Sequence, residues 1–125
     1  MENSWDQRRE EMYQILEELN KTTGITGSML VGNDGIIIAA DLDTRFQDET
    51  VGAMAASIVS TVQKSLERLK STHLKQVTVE AEQGKFFLTD VGFGILVVTT
   101  EPNVNVGLVR LEIKNTASKI KERNF

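Results

Sequence analysis

Val51-Gly52-Ala53-Met54-Ala55-Ala56-Ser57-Ile58-Val59-Ser60-Thr61-Val62 reads as a helix with one nearly bare face. A glycine costs a helix about 1 kcal/mol relative to alanine, so Gly52 requires a compensating contact. Gly52, Ala53, Ala56, Ser57 and Ser60 are all small. Small side chains let another backbone come close, so part of this helix is expected at a tight contact, either under the domain's own sheet or against a second copy. The stretch is therefore an interaction surface and not a catalytic one. Met54, Ile58, Val62, Leu66 and Leu69 keep helical spacing, and Ala55 and Val59 widen the line. Gln63, Lys64, Glu67, Arg68 and Lys70 stay polar. The pattern predicts a helix from about Glu49 to Ser71, roughly 33 Å long at 1.5 Å per residue. Asp48 or Thr50 can cap its start.

Upstream, Ser4-Trp5-Asp6-Gln7 fits a capping box, and Met12, Ile15, Leu16 and Leu19 form the stripe of a helix buried on one side. Gly24 is a stop signal beyond it. Two β-type runs follow, Ile25 to Val31 and Ile36 to Ala40, joined by Gly32-Asn33-Asp34-Gly35. Asn, Asp and Gly tolerate the positive φ angles of hairpin turns. The second run is apolar without alternation, the pattern of a strand covered on both faces. Asp41 to Asp48 is a polar loop.

Downstream, Val77 to Ala81, Phe86 to Val91 and Ile95 to Thr100 are separated by the turns Glu82-Gln83-Gly84-Lys85 and Gly92-Phe93-Gly94. Such short turns imply an antiparallel meander. Pro102 and Asn103-Val104-Asn105 break the sheet, and Asn103 or Asn105 can cap a last helix. Its stripe is Val106, Val109, Ile113, Ala117 and Ile120, widened by Leu108 and Leu111. The order is α-β-β-α-β-β-β-α, an α/β (α+β) chain in which a five-stranded sheet carries helices on both faces.

At 125 residues the chain is expected to be one domain, 1–125, able to bury roughly two-thirds of its unfolded surface. The net charge of -4 argues against a nucleic-acid partner, since phosphate binding needs clustered Lys and Arg. Lys64 to Lys75 and Lys114 to Arg123 are interrupted by acids and polar residues and read as solvated helix faces. With no cysteine, a disulfide framework, a thiol nucleophile and a Cys-type zinc site are excluded. The first residues lack the basic-then-apolar pattern of a secretory signal, and no apolar run reaches the ~20 residues of a membrane span. A cytoplasmic location is the expectation.

Six segments in this order resemble the roadblock/dynein light-chain family, and more narrowly its MglB-like bacterial and archaeal members, which partner small Ras-like GTPases. They are Gly24-Ile25-Thr26-Gly27-Ser28-Met29-Leu30-Val31, Asp34-Gly35-Ile36-Ile37-Ile38-Ala39-Ala40, Val51-Gly52-Ala53-Met54-Ala55-Ala56, Val77-Thr78-Val79-Glu80, Gly84-Lys85-Phe86-Phe87-Leu88 and Val106-Gly107-Leu108-Val109-Arg110-Leu111. The likeness runs from about Met12 to Ile120. It implies an antiparallel sheet in the order 2-1-5-4-3, with the long helix on one face and the terminal helices on the other. It also implies a homodimer, or a heterodimer with a related chain, joined along the third strand with the two long helices side by side. On that reading Gly52, Ala53, Ala56, Val59, Ser60, Leu74, Gln76, Thr78 and Glu80 belong to the dimer interface. The edge residues Gln76, Thr78 and Glu80 have no other evident partner in the sequence. Met54, Ala55, Ser57, Ile58 and Thr61 are the candidate partner-facing surface, with burial beneath the sheet the competing reading for Met54 and Ile58.

The function so implied is a non-catalytic regulator that binds an MglA-like GTPase and modulates its GTP hydrolysis. The dimer positions the GTPase's own switch segments and supplies no catalytic residue. The alternative is a dimeric scaffold of a larger complex with no effect on hydrolysis, and a small-molecule sensor is a third. Some MglB-like members carry helical sequence after the last helix; this sequence stops at Phe125, a departure that puts activity dependent on such a tail in doubt.

Enzyme chemistry finds little support. His73 is the sole histidine, is read as exposed or helix-capping, and makes no triad with Ser71 and Thr72. No phosphate loop is present, so the chain is not itself a GTPase. Asp41, Asp43, Asp48 and Glu49 lack the spacing of a calcium loop and read as solvated, and no metal or cofactor is expected. Arg110 is ambiguous: it could cross the sheet edge to a carboxylate such as Glu80 or Asp90, a phosphate-stabilising arginine finger being the weaker reading. Trp5 is either an interface anchor or a staple for the first helix.

Overall fold

The computed structural model describes residues 4–70 and 73–123, Ser4 by its backbone alone. Eight elements follow one another: α1 (Ser4–Leu19), β1 (Ile25–Gly32), β2 (Ile37–Asp41), α2 (Asp48–Arg68), β3 (Gln76–Ala81), β4 (Gly84–Asp90), β5 (Gly94–Thr100) and α3 (Val106–Glu122). All strand pairs are antiparallel and the sheet order is β2-β1-β5-β4-β3. Every residue of β5, the central strand, is buried.

Two cores lie on opposite faces of this sheet. Met12, Leu16 and Leu19 of α1 and Val109, Ile113, Ala117 and Ile120 of α3 pack with Leu30, Phe87, Leu96 and Val98. On the other face Val51 and Ala55 of α2 pack with Met29, Val31, Leu88, Ile95 and Val97. The alternation of each strand thus feeds one helix layer and then the other.

The unalternating run of β2 has a local cause. Leu30 pairs with Ala39 and Val31 with Ile37, which leaves Ile38 as an extra residue. This bulge turns Ile38 and Ala39 toward the α1 side together, while Ile37 and Ala40 meet the α2 side. Ile36, expected in the strand, lies in the turn and is exposed. That turn is closed by the Gly35 amide on the Gly32 carbonyl at 2.9 Å and by the Ile36 amide on Asp34 Oδ1 at 3.0 Å. Of the turn residues only Gly35 takes a positive φ, +88°.

Helix ends differ from expectation in detail. Gln47, not Asp48 or Thr50, is the N-cap of α2 and makes no side-chain capping bond. Asp48 and Glu49 instead occupy the first turn, where carboxylates favour the helix dipole. α2 ends at Arg68, and Lys70 turns the chain away at φ 54°. The expected end at Ser71 lies outside the described residues, as does the Ser4 side chain of the capping box. Asn105 caps α3, its Oδ1 accepting from the Leu108 amide at 3.1 Å. The end of α1 is clamped by Asn20, whose Nδ2 donates to Asp41 Oδ2 at 2.9 Å while its Oδ1 accepts from buried Ser28 at 2.8 Å. α1 stops at Leu19, well before Gly24.

Candidate partner-binding surface

α2 crosses β1, β2 and β5, and its small residues meet the β1–β2 turn. A Cβ added to Gly52 would lie 3.3 Å from the Gly35 carbonyl oxygen and 3.4 Å from Val31. A Cβ added to Gly35 would lie 3.6 Å from that of Ala56. The contact that compensates Gly52 is therefore inside this chain, which corrects its assignment to a dimer interface. Ala55 is corrected as well: it is wholly buried in the α2-side core and offers a partner nothing.

The other expected residues divide by the turn of the helix. Ala53, Ser57, Ser60 and Thr61 are exposed, while Met54, Ala56, Ile58 and Val59 are half-buried. Met54, Ile58 and Val59 pack against the core with part of their surface and leave the remainder open. Val62 and Leu66, further along, are half-buried, and Leu69 is 75% exposed. Only Val51, Gly52 and Ala55 of this helix are buried. Sequence reading placed Val62 and Leu66 in the helix stripe but missed them as open surface. Their spacing carried that signal, but only the placement of the helix axis over the sheet reveals how far it overhangs.

Beyond the overhang lie Val77 and Phe86, both half-buried, and a cleft of about 330 Å³ lined by Ala56, Val59, Ser60, Gln63 and Leu74 among others. Gln63 Oε1 accepts the Leu74 amide at 2.9 Å and fixes α2 to the approach of β3. Leu74 itself is nearly buried and precedes the strand.

β3 is one of the sheet's two outer strands, β2 being the other. The Asp90 amide donates to the Lys75 carbonyl at 3.0 Å, and hydrogen-bonded pairs alternate along an antiparallel ladder. Counting from that bond, Val77 and Val79 face β4 with their backbone groups, and Gln76, Thr78 and Glu80 turn theirs to the open edge. The Gln76 side chain does have a partner in its own chain, contrary to expectation: Nε2 donates to Thr89 Oγ1 at 2.8 Å.

The remaining singled-out residues stand apart from this surface. His73 Nε2 and Asp90 Oδ2 are 2.9 Å apart, so Asp90 is held by the histidine and not by Arg110. Among the described residues Arg110 makes no ion pair with Glu80 or Asp90. Asp43 pairs with Arg45 at 3.1 Å. Among the described residues no group of His, Cys, Asp and Glu is placed to hold a metal. Arg9 stacks its guanidinium 4.5 Å above the Trp5 ring, and Trp5 is exposed. The negative charge of Asp41 raises the pKa of Tyr13, with burial, Glu17 and Glu10 acting the same way.

Residues 11–100 match the family model of the Roadblock/LC7 domain. The chain belongs to the Roadblock/LC7 family. Two relatives from Methanocaldococcus jannaschii, the uncharacterized proteins MJ0310 and MJ1340, are each 45% identical over 107 residues, covering 86% of this Roadblock/LC7 chain and 94% of theirs. Among solved structures, Myxococcus xanthus MglB superposes with a TM-score of 0.85 at 19% identity, covering 91% of this chain and 87% of its own. A Roadblock/LC7 domain from Streptomyces avermitilis gives 0.82 at 17%, covering 89% and 95%. The gliding protein MglB of Thermus thermophilus gives 0.78 at 17%, covering 98% and 92%. The sheet order and the helix layers of this chain are those of the Roadblock fold. No helix among the described residues is long and apolar enough to cross a membrane.

Proposed function

We propose that this Roadblock/LC7 chain is a cytoplasmic, non-catalytic regulator that works as a homodimer. It binds a small Ras-like GTPase of the MglA type in its GTP form and promotes hydrolysis by positioning the GTPase's own switch segments. The observation that carries this reading is the row Met54, Ile58, Val59, Val62 and Leu66. These side chains are apolar at helical spacing, yet the chain's own sheet buries none of them fully. Left in water they forgo roughly 25 cal/mol for each Å² of apolar surface, which a partner would recover. The open edge of β3 supports the dimer: Gln76, Thr78 and Glu80 present unpaired backbone groups that a second copy can complete antiparallel. The solved MglB that adopts a tetrameric arrangement shares this fold, which is consistent with self-association of the present chain.

The test is capture from native cytosol with the whole chain as bait, in GTP analogue and in GDP. Recovery of a small GTPase with the analogue alone is the expected result, and the purified pair then enters a hydrolysis assay. Nucleotide-independent recovery of a large assembly would replace the regulator with a scaffold.

A further inference from the structure

On the face of the sheet opposite α2, a groove of about 750 Å³ runs between α3 and the start of the β3–β4 ladder. Leu74, Ile113 and Ala117 lie at its buried base. Arg110, Lys114 and Lys121 line it at i, i+4 and i+11, one face of α3, and Lys75 and His73 enter from the strand side. Asp90 is the sole carboxylate of the lining, and it is engaged by His73 at 2.9 Å. Four fixed cations thus surround one carboxylate in a chain whose net charge is -4. Among the described residues Lys75, Arg110, Lys114 and Lys121 take part in no salt bridge. A concave surface lined by one sign of charge focuses its field on an opposite charge.

We propose that this groove docks an acidic peptide segment of a partner protein, laid along α3 from Arg110 to Lys121. Those two positions stand about 17 Å apart along the helix axis, too far for one phosphate to bridge and matched to a row of carboxylates. Arginine can take a carboxylate with two parallel hydrogen bonds, and lysine serves as a point charge beside it. The cations ring a recessed apolar base, a shape that admits side chains, whereas a flat bilayer would meet only the rim. The groove shares His73, Leu74 and Asp90 with the cleft beside α2 and Gln76 with the β3 edge, but none of its four cations lines that cleft, so reversing their charge tests the inference apart from the regulator reading.

Fluorescence anisotropy with a labelled peptide of roughly twelve residues, glutamates interleaved with leucines, tests it on the full chain. Arg110→Glu with Lys114→Glu should weaken binding about tenfold or more, and Lys121→Glu alone by a smaller factor. Lys21→Glu with Lys119→Glu changes net charge equally outside the groove and should leave affinity within about twofold. Added salt should weaken binding, because the groove is open to solvent. Thermal melts and sedimentation verify that each variant keeps its fold and oligomeric state, and Lys114→Gln replaces the double variant if that one does not fold. No peptide binding by the unaltered chain, unchanged affinity in the groove variants, or an equal loss in the control pair would overturn the proposal. So would capture of phosphatidylserine vesicles without capture of the peptide.

Discussion

Gly52 of α2 lies against Gly35 of the β1–β2 turn, so closely that a single methyl on Gly52 would stand 3.3 Å from the Gly35 carbonyl oxygen. Two glycines from distant parts of the sequence thereby set how near the long helix sits to the sheet. Gly52→Val should overpack this point against Val31, Ile37 and the turn, costing about 1–3 kcal/mol. Urea unfolding reads the cost, and an unchanged midpoint would show that the helix can lift away freely.

Ala55 and Ser57 are two residues apart on α2 and should behave oppositely. Ala55→Asp places a charge in the α2-side core with no partner and should destabilise the fold by about 3 kcal/mol or more. Ser57→Arg projects into solvent and should alter stability by no more than about 0.5 kcal/mol. It should nevertheless abolish GTPase capture if the open face of α2 is the docking surface. Melting curves and the nucleotide-dependent pull-down, run on both variants, separate the two effects.

The register of β3 yields a test of the dimer. The Thr78 amide faces the open edge, so Thr78→Pro removes no bond to β4. The variant should fold but sediment as a monomer, because proline cannot donate to an added strand. A dimer that survives the proline places the contact elsewhere.

Tyr13 is the chain's only tyrosine, which makes its phenol readable by ultraviolet titration of the whole protein. Its pKa is raised, first by Asp41 and then by burial, Glu17 and Glu10. Asp41→Asn should move the midpoint back toward 10.0. A raised folded-state value means that the folded chain holds this proton more tightly than the unfolded one. The stability linked to it is present below the ordinary tyrosine range and is lost as pH rises through the folded value. A midpoint unmoved by Asp41→Asn would remove Asp41 as the main cause.

Much of the architecture was legible because each element carried its own period. The stripe Met12, Leu16, Leu19 and the stripe Val109, Ile113, Ala117, Ile120 marked two helices with one buried side each, and both are found in one core. Asn105 marked the start of α3 by a capping bond that forms locally. The α2 cap was misread because Asp48 and Glu49 favour a helix start by charge as well as by capping, and only geometry tells the two apart. The unalternating β2 was expected to be covered on both faces, yet only Ala39 of it is buried and Ile36 is exposed, and the cause of the pattern, the Ile38 bulge, depends on register with β1.

The candidate surface was less legible. Gly52, Ala53, Ala56, Ser57 and Ser60 showed that something approaches α2, and the residues themselves cannot say whether it is the chain's own turn or another molecule. The basic residues gave the reverse case. Arg110, Lys114 and Lys121 look like a solvated face until α3 is set beside Lys75, far away in sequence, and the four become one groove.

By itself the sequence determined the elements, their order and the absence of a disulfide framework, because periodicity, capping and composition act over a few residues at a time. The tertiary structure alone decided which side of each element meets which neighbour. That choice buried Gly52 and Ala55, left Val62 and Leu66 partly open, turned the Thr78 backbone to a free edge and gathered four cations around one carboxylate. Such pairings are set by packing between segments remote in the chain, where no local pattern can record them.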